Sequence, residues 1–263
     1  MAGTRKRIGW WTGGIALAIL AVAALFIPRS TATGVNEDNA SHAPSLAGST
    51  AAKPLKILII GGTSGIGLET VKLALARGHW VTSMARHAPA APIVHDHLKY
   101  LQGSIINAAQ VSIAVSGQDV VVTTISIPVS RKPVRVFSMG ASNVLFAMNS
   151  AGVKRLVAVT GIGAGDSRGH GGFAYDHILQ PLILGAMYAD KGLEETMIRA
   201  SAVDWTIVRP GTLTDEPARL HYWVVKNLDG VTAGGIARAD VAHYIVAAIE
   251  SGQDLRTAVL LTD

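Results

Sequence analysis

From Leu55 onward the chain alternates short apolar runs with stretches of helical spacing. Leu55 to Ile60 is apolar on both sides of its period, broken only by Lys56, as expected of a strand covered on both faces. Leu68 to Arg77 has helical spacing and stops at Gly78. Strands are expected at Trp80–Met84, Leu98–Leu101, Asp119–Ile125, Arg155–Val159, Trp205–Val208 and Ala258–Leu261. Helices are expected at Asn107–Val115, opened by the Asn107 cap, and at Val136–Ala151, Ile183–Ala200 and Asp240–Glu250. Alternation with short connections predicts an α/β fold: one Rossmann-like, doubly wound parallel sheet with helices on both faces. A hydrophobic fraction of 49% supplies the core, and 263 residues suffice for one large domain.

The loop after the first strand carries the most chemical information. It reads Gly61-Gly62-Thr63-Ser64-Gly65-Ile66-Gly67 and opens the first helix. Backbone N–H groups at a helix N-terminus point outward, and the helix dipole favours a phosphate there. Gly61 permits the turn, Gly65 leaves room for a pyrophosphate, and Gly67 lets helix and strand approach. In this context the loop predicts dinucleotide binding, with Gly61 through Gly67 as the cradle. Ile125, at the end of the fourth strand, joins the expected cofactor-binding set.

The second strand leads into Arg86-His87. NAD sites usually carry an acidic residue there, to hold the ribose hydroxyls. Here Arg86 is placed to pair a 2′-phosphate, which favours NADP(H) over NAD(H). A second glycine cluster, Gly161-Ile162-Gly163-Ala164-Gly165, runs on to Gly172 and is expected to be a mobile segment over the mouth of the site.

Composition removes several chemistries. The absence of cysteine excludes disulfide scaffolds, zinc-thiolate sites and thiol nucleophiles. His95-Asp96-His97 lacks a third ligand at helix or strand spacing, so no metal site is expected. No Gly-x-Ser-x-Gly elbow is present.

The net charge of +5 is mostly local. Arg5, Lys6, Arg7 and Arg29 lie in a leader without acids, and the rest carries 19 basic against 18 acidic residues. Nucleic acid is therefore not expected as a partner. Behind Arg5-Lys6-Arg7 an uncharged run extends from Ile8 to Ile27, with Trp10 and Trp11 at its basic end. Twenty helical residues span roughly 30 Å, one hydrocarbon core. Residues 1–29 thus read as a membrane anchor, or as a cleaved signal with small residues at Ser30 and Ala32. Both fates stay open. The positive-inside rule places the domain outside a bacterial-type inner membrane, with the cytoplasmic side as the other arrangement. Residues 30–53, rich in Ser, Thr, Ala, Asn and Gly, are expected to be a flexible linker, and 54–263 the binding domain.

Four stretches carry a family resemblance: Ile59 to Gly67, Lys154 to Thr160, Lys191 to Ser201 with Asp204 to Gly211 (Asp-Trp-Thr-Ile-Val-Arg-Pro-Gly), and Ile236 to Ala242. Through them residues 55–263 resemble the atypical short-chain dehydrogenases of the NAD(P)H-binding, NmrA-like group, which includes the flavin and biliverdin reductases. The resemblance implies an NADP(H)-dependent oxidoreductase acting on a small-molecule flavin, quinone or carbonyl acceptor. It equally accommodates a non-catalytic dinucleotide sensor or scaffold. Two positions depart from the group: Ser64 stands where a glycine is usual, and Gly103-Ser104 where an acid often sits near the adenine.

Classical members use a Tyr-x-x-x-Lys pair for proton exchange, and this chain lacks it. Tyr188 and Lys191 are three apart and share a helix face. Lys191 matches the group's lysine that reaches the nicotinamide ribose. Tyr188 is the candidate proton donor, and Thr160, at the end of the fifth strand, is the candidate orienting hydroxyl. Arg131, Lys132 and Arg135 follow the fourth strand and read as a solvated charge run, or as a lure for an anionic substrate.

Overall fold

In the computed structural model, residues 31–46, 48, 50–51 and 53–263 are described. The leader reading falls on residues outside these. In chain order the elements are β1 (Ala40–His42), β2 (Lys56–Ile60), α1 (Gly65–Ala76), β3 (Trp80–Ala85), β4 (Leu98–Gln102), α2 (Ala108–Val115), β5 (Val120–Thr123), α3 (Val136–Ala151) and β6 (Arg155–Val159). A π-helical segment, Tyr175–Leu184, then runs into α4 (Gly185–Ala200). After it come β7 (Asp204–Pro210), β8 (Thr212–Thr214), β9 (Trp223–Val225), β10 (Gly235–Ala237), α5 (Arg238–Ser251) and β11 (Thr257–Thr262).

Nine strands form one sheet in the order β1-β9-β11-β7-β6-β5-β2-β3-β4. The stretch from β11 to β4 is parallel, and β9 pairs antiparallel with both β11 and β1. The fold is therefore a doubly wound, mostly parallel sheet of Rossmann type. Strand order reverses at β2, which has β3 on one side and β5 on the other. Such a reversal opens a crevice at the carboxyl ends of the strands.

Alternate residues of β2 feed two cores. Ile57 and Ile59 pack on one face with Val71 and Ala74 of α1 and Tyr244 and Ile245 of α5. Leu58 and Ile60 pack on the other with Val111 of α2, Val144 and Met148 of α3 and Ile198 of α4. The apolar character of β2 at every core position follows from this double coverage. Asn107 caps α2 as expected, its side chain accepting from Gln110 N at 3.1 Å.

Two expectations need correction. The segment read as a flexible linker is built into the sheet edge from its start. Ala32 N donates to Asp263 O at 2.9 Å, Thr33 bridges Thr232, and Ala40–His42 pair with Trp223–Val225. The three-residue strand is too short and too polar to announce itself by alternation. The segment read as mobile, 161–172, is fastened. Ser167 is buried, its hydroxyl donates to Ala164 O at 2.6 Å and it accepts from Gly163 N at 2.9 Å. Among the described residues no helix is long and apolar enough to cross a membrane.

Candidate cofactor and active site

The β2–α1 loop is shaped by contacts that allow no side chain. A Cβ at Gly67 would lie 2.2 Å from the Gly61 carbonyl oxygen and 2.5 Å from Thr124 Oγ1. Gly67 therefore fixes how closely α1 approaches the end of β2. Gly65 has φ +53° and opens the helix, and a Cβ there would meet nothing nearer than Arg238 Nε at 3.8 Å. That open side faces the cleft. Ser64 at the N-cap is extended and its side chain makes no capping bond. The first helical bond runs from Leu68 N to Ser64 O, so the helix leaves the N–H groups before Leu68 unused. No acid stands in the first turn to compete for them.

This N-terminus borders a cleft of about 690 Å³ at the β2 reversal, a volume that suits a cofactor site. Its wall takes Gly61, Thr63, Ser64, Gly65 and Ile66 from the loop, and Arg86 and His87 from the end of β3. Gly103 and Ser104 follow β4, Ile125 follows β5, and Thr160 follows β6. Tyr188 and Lys191 reach it from α4. Gly62 and Gly67 lie behind the wall. A Cβ at Gly62 would run into Ser83 Oγ at 2.6 Å, so this glycine serves packing. The residues present fit a dinucleotide: an acid-free helix N-terminus, a glycine-lined approach to it, and an exposed arginine at the end of β3.

Arg238 is a site residue that sequence reasoning misses. It opens α5, lines the cleft beside Gly65 and pairs with Asp215 at 2.6 Å. Its signal is the Arg-x-Asp-Val-Ala stretch, where Asp240 is fully buried and accepts from the backbone N–H groups of Arg219 and Leu220. Phe137 and Met187, which complete the wall around Lys191, read in the sequence as plain core residues.

Lys191 is buried. Its Nζ donates to Thr160 O at 2.8 Å and lies 4.4 Å from the centre of the Phe137 ring. Burial holds its pKa below the usual lysine value, against the opposing pull of Glu194, Glu195 and Asp190. Tyr188 stands edge-on to Tyr175 at 6.2 Å between ring centres, and burial raises its pKa. The Tyr175 hydroxyl donates to Ile162 O at 2.9 Å. Thr160 reaches the cleft, but its hydroxyl donates to Glu195 Oε1 at 2.7 Å. Glu195 also accepts from Arg209 Nε at 3.0 Å, and Arg209 reaches Asp166. This chain ties the carboxyl end of β6, α4, β7 and the 161–172 loop together under the cleft floor.

Glu194, next to this chain, is buried with Oε2 unpartnered, and burial pushes its carboxyl up to about 7. Arg131, Lys132 and Arg135 are exposed and are not among the residues bordering the cleft. His97 stacks on Trp80 at 3.9 Å, and its backbone N–H donates to His95 Nδ1, so that tripeptide is a local loop structure.

Fold and cleft together define a Rossmann-type dinucleotide-binding protein. The family model for NAD(P)H-binding proteins matches residues 61–252, and the chain belongs to that family. It is 29% identical over 221 residues to the uncharacterized sugar epimerase YhfK of Bacillus subtilis (strain 168), covering 80% of this chain and 94% of that protein. Among solved structures it is similar to the anaerobilin reductase ChuY of Escherichia coli O157:H7, with 24% identity, TM-score 0.65, and 79% and 96% of the two chains covered. It is also similar to a short-chain dehydrogenase/reductase of Veillonella parvula in complex with NADP. That match has 17% identity, TM-score 0.68, and covers 80% and 95% of the two chains.

Proposed function

We propose that the protein is an NADP(H)-dependent oxidoreductase that reduces a small flavin, quinone or carbonyl acceptor. The observation that carries this reading is the glycine-lined helix N-terminus opening on a cleft whose β3 end bears Arg86 and no acid. The loop N–H groups and Arg238 would hold the pyrophosphate, and Arg86 the 2′-phosphate. Lys191, held between Thr160 O and the Phe137 ring, would reach the nicotinamide ribose. The nicotinamide, when bound, supplies the hydride. The protein's own contribution is positioning in a cleft walled by Ile125, Phe137, Met187 and Tyr188. Tyr188 is the residue assigned to proton delivery, and Thr160 acts through Glu195 to set the end of β6.

The test is full-length protein in mild detergent with NADPH and a panel of flavins, quinones and simple carbonyls. NADPH oxidation with one class identifies the acceptor. Tight NADPH binding with no oxidation across the panel would favour the second reading, a non-catalytic sensor. One observation supports that second reading: Lys191 is tied to a backbone carbonyl and Tyr188 misses the proton-relay spacing by one residue.

We further propose that residues 1–29 anchor the protein in a bacterial-type inner membrane with the domain outside, on the strength of Arg5-Lys6-Arg7 ahead of the apolar run. Free NADPH is a cytoplasmic commodity, so an outward domain would carry its cofactor across already bound. A pair of C-terminal reporters, one active only outside and one only inside, tests the topology.

A further inference from the structure

The π-helical segment ahead of α4 has two different faces. Inward, Tyr175 donates to Ile162 O and Gln180 Nε2 donates to Gly163 O at 2.7 Å, so the segment is clamped on the glycine-rich loop. Outward, Phe173, Ile178 and Leu182 are 76%, 54% and 63% exposed. Bonds from i to i+5 stack residues four to five apart, so these three form one apolar stripe on the outer side. Leu184 and Tyr188, just beyond the stripe, border the cleft.

The chain enters the domain at the same place. Thr33 bridges Thr232, and Thr232 lies against Gly172, where a Cβ would sit 3.4 Å from its methyl. Phe173 is the next residue. His170 O accepts from Ala233 N at 2.8 Å, so the loop leading to the stripe and the entry strand share one patch. This patch lies at the carboxyl edge of the sheet, beside the end of β11, where Ala32 bonds to Asp263. The apolar run of the leader ends at Ile27, and Ala32 is already hydrogen-bonded to the domain. Residues 28–31 leave roughly 14 Å of fully extended chain between them.

We propose that Phe173, Ile178 and Leu182 dock into the surface of a lipid bilayer. The proposal rests on the reading of residues 1–29 as a membrane anchor and adds the face by which the domain meets the lipid. The reason is geometric. A 24-residue linker would let the domain tumble far from the bilayer, whereas four residues hold the carboxyl edge within a few side-chain lengths of it. The groups that edge then offers are three large apolar side chains with Arg168 exposed beside them, a combination suited to the headgroup–acyl boundary. The mouth of the cleft is thereby set at the interface, within reach of an acceptor dissolved in lipid.

The chain has no cysteine, so single labelling sites can be introduced cleanly. Full-length protein carrying Leu182→Cys or Ile178→Cys, labelled with a polarity-sensitive fluorophore, is reconstituted into phosphatidylcholine–phosphatidylglycerol vesicles with or without brominated acyl chains. Ile113→Cys is the control. It is 70% exposed on α2, toward the opposite edge of the sheet. Brominated lipid is expected to quench the labels at 178 and 182 by at least about twofold and to leave the label at 113 unchanged. Protein that floats with vesicles but shows equal, weak quenching at all three sites overturns the docking and leaves the anchor standing. Protein that fails to float overturns the anchor, and the docking with it. Protection at 182 that grows with protein concentration and ignores bromine assigns the stripe to a second copy and overturns the lipid assignment.

Discussion

Substituting Gly67→Ala should test whether the α1–β2 approach is fixed by backbone contact. The added methyl would lie 2.2 Å from Gly61 O, 2.5 Å from Thr124 Oγ1 and 2.8 Å from Gly61 C, where ordinary contact begins near 3.4 Å. Two of these three atoms are backbone, so the helix N-terminus has to withdraw by about 1 Å, at the roughly 2–3 kcal/mol typical of overpacked sites. Two other glycines separate this clash from simple backbone strain. Gly78→Ala puts a methyl at φ +87° with nothing within 4 Å, so only the left-handed backbone opposes it, at about 1 kcal/mol. Gly65→Ala carries similar strain at φ +53°, but its methyl points to the open side of the loop. It should cost about 1 kcal/mol of stability and at least about tenfold in NADPH affinity. The assays are urea unfolding followed by tryptophan fluorescence and titration calorimetry with NADPH. If Gly67→Ala is no less stable than Gly78→Ala, the contact argument fails. If Gly65→Ala binds NADPH like the wild type, the loop is not the pyrophosphate cradle.

Arg86→Ala should weaken NADPH by about 10–100-fold and leave NADH unchanged, because only the 2′-phosphate loses a charge-assisted partner; an equal loss for both cofactors in calorimetry would refute the assignment. Arg209→Met leaves the buried Glu195 carboxylate without its guanidinium and should cost about 3–5 kcal/mol in urea unfolding, with most of it recovered in the double variant that also carries Glu195→Met. Glu194→Gln should change how stability depends on pH. The folded-state carboxyl titrates near 7 against an ordinary value of 4.5, so the folded protein binds the extra proton between them, and the wild type loses stability as pH rises through that window. The loss levels off at about 3 kcal/mol above pH 7, and the Gln variant should show a flat profile there; parallel profiles for the two proteins would refute it.

Sequence reading worked where one physical cause dominated. β2, β5, β6 and β11 are covered on both faces, so their apolar runs could be read directly, and Gly78, Gly152 and the Asn107 cap marked helix ends correctly. It failed at the sheet's antiparallel edge. β1, β8, β9 and β10 are three residues each and lie outside the parallel run, with too little period to read. Their order comes from pairing partners distant in sequence, such as Ala40 with Val225. The 161–172 loop failed for a related reason. Its glycines suggest freedom, but Arg209, in the apolar β7, reaches across to Asp166 and holds it. An arginine inside a buried strand was the available signal, since such a charge needs a partner.

The proton-relay question turns on register. Four residues before Lys191, where a tyrosine would complete the usual spacing, the chain has Met187. That side chain borders the cleft and cannot donate a proton. Tyr188 is one residue on, turned against Tyr175 with burial raising its pKa. The helix immediately before them is π-helical, a form that takes up more residues per turn than an α-helix and so rotates the start of α4. Lys191 keeps its place on the wall while the tyrosine is offset, and the Lys191 ammonium is spent on Thr160 O and the Phe137 ring. Chemistry in this cleft therefore leans on positioning. An acceptor whose reduced form tolerates negative charge, a flavin or a quinone, asks less of the missing relay than a simple ketone, whose alkoxide needs a proton as it forms.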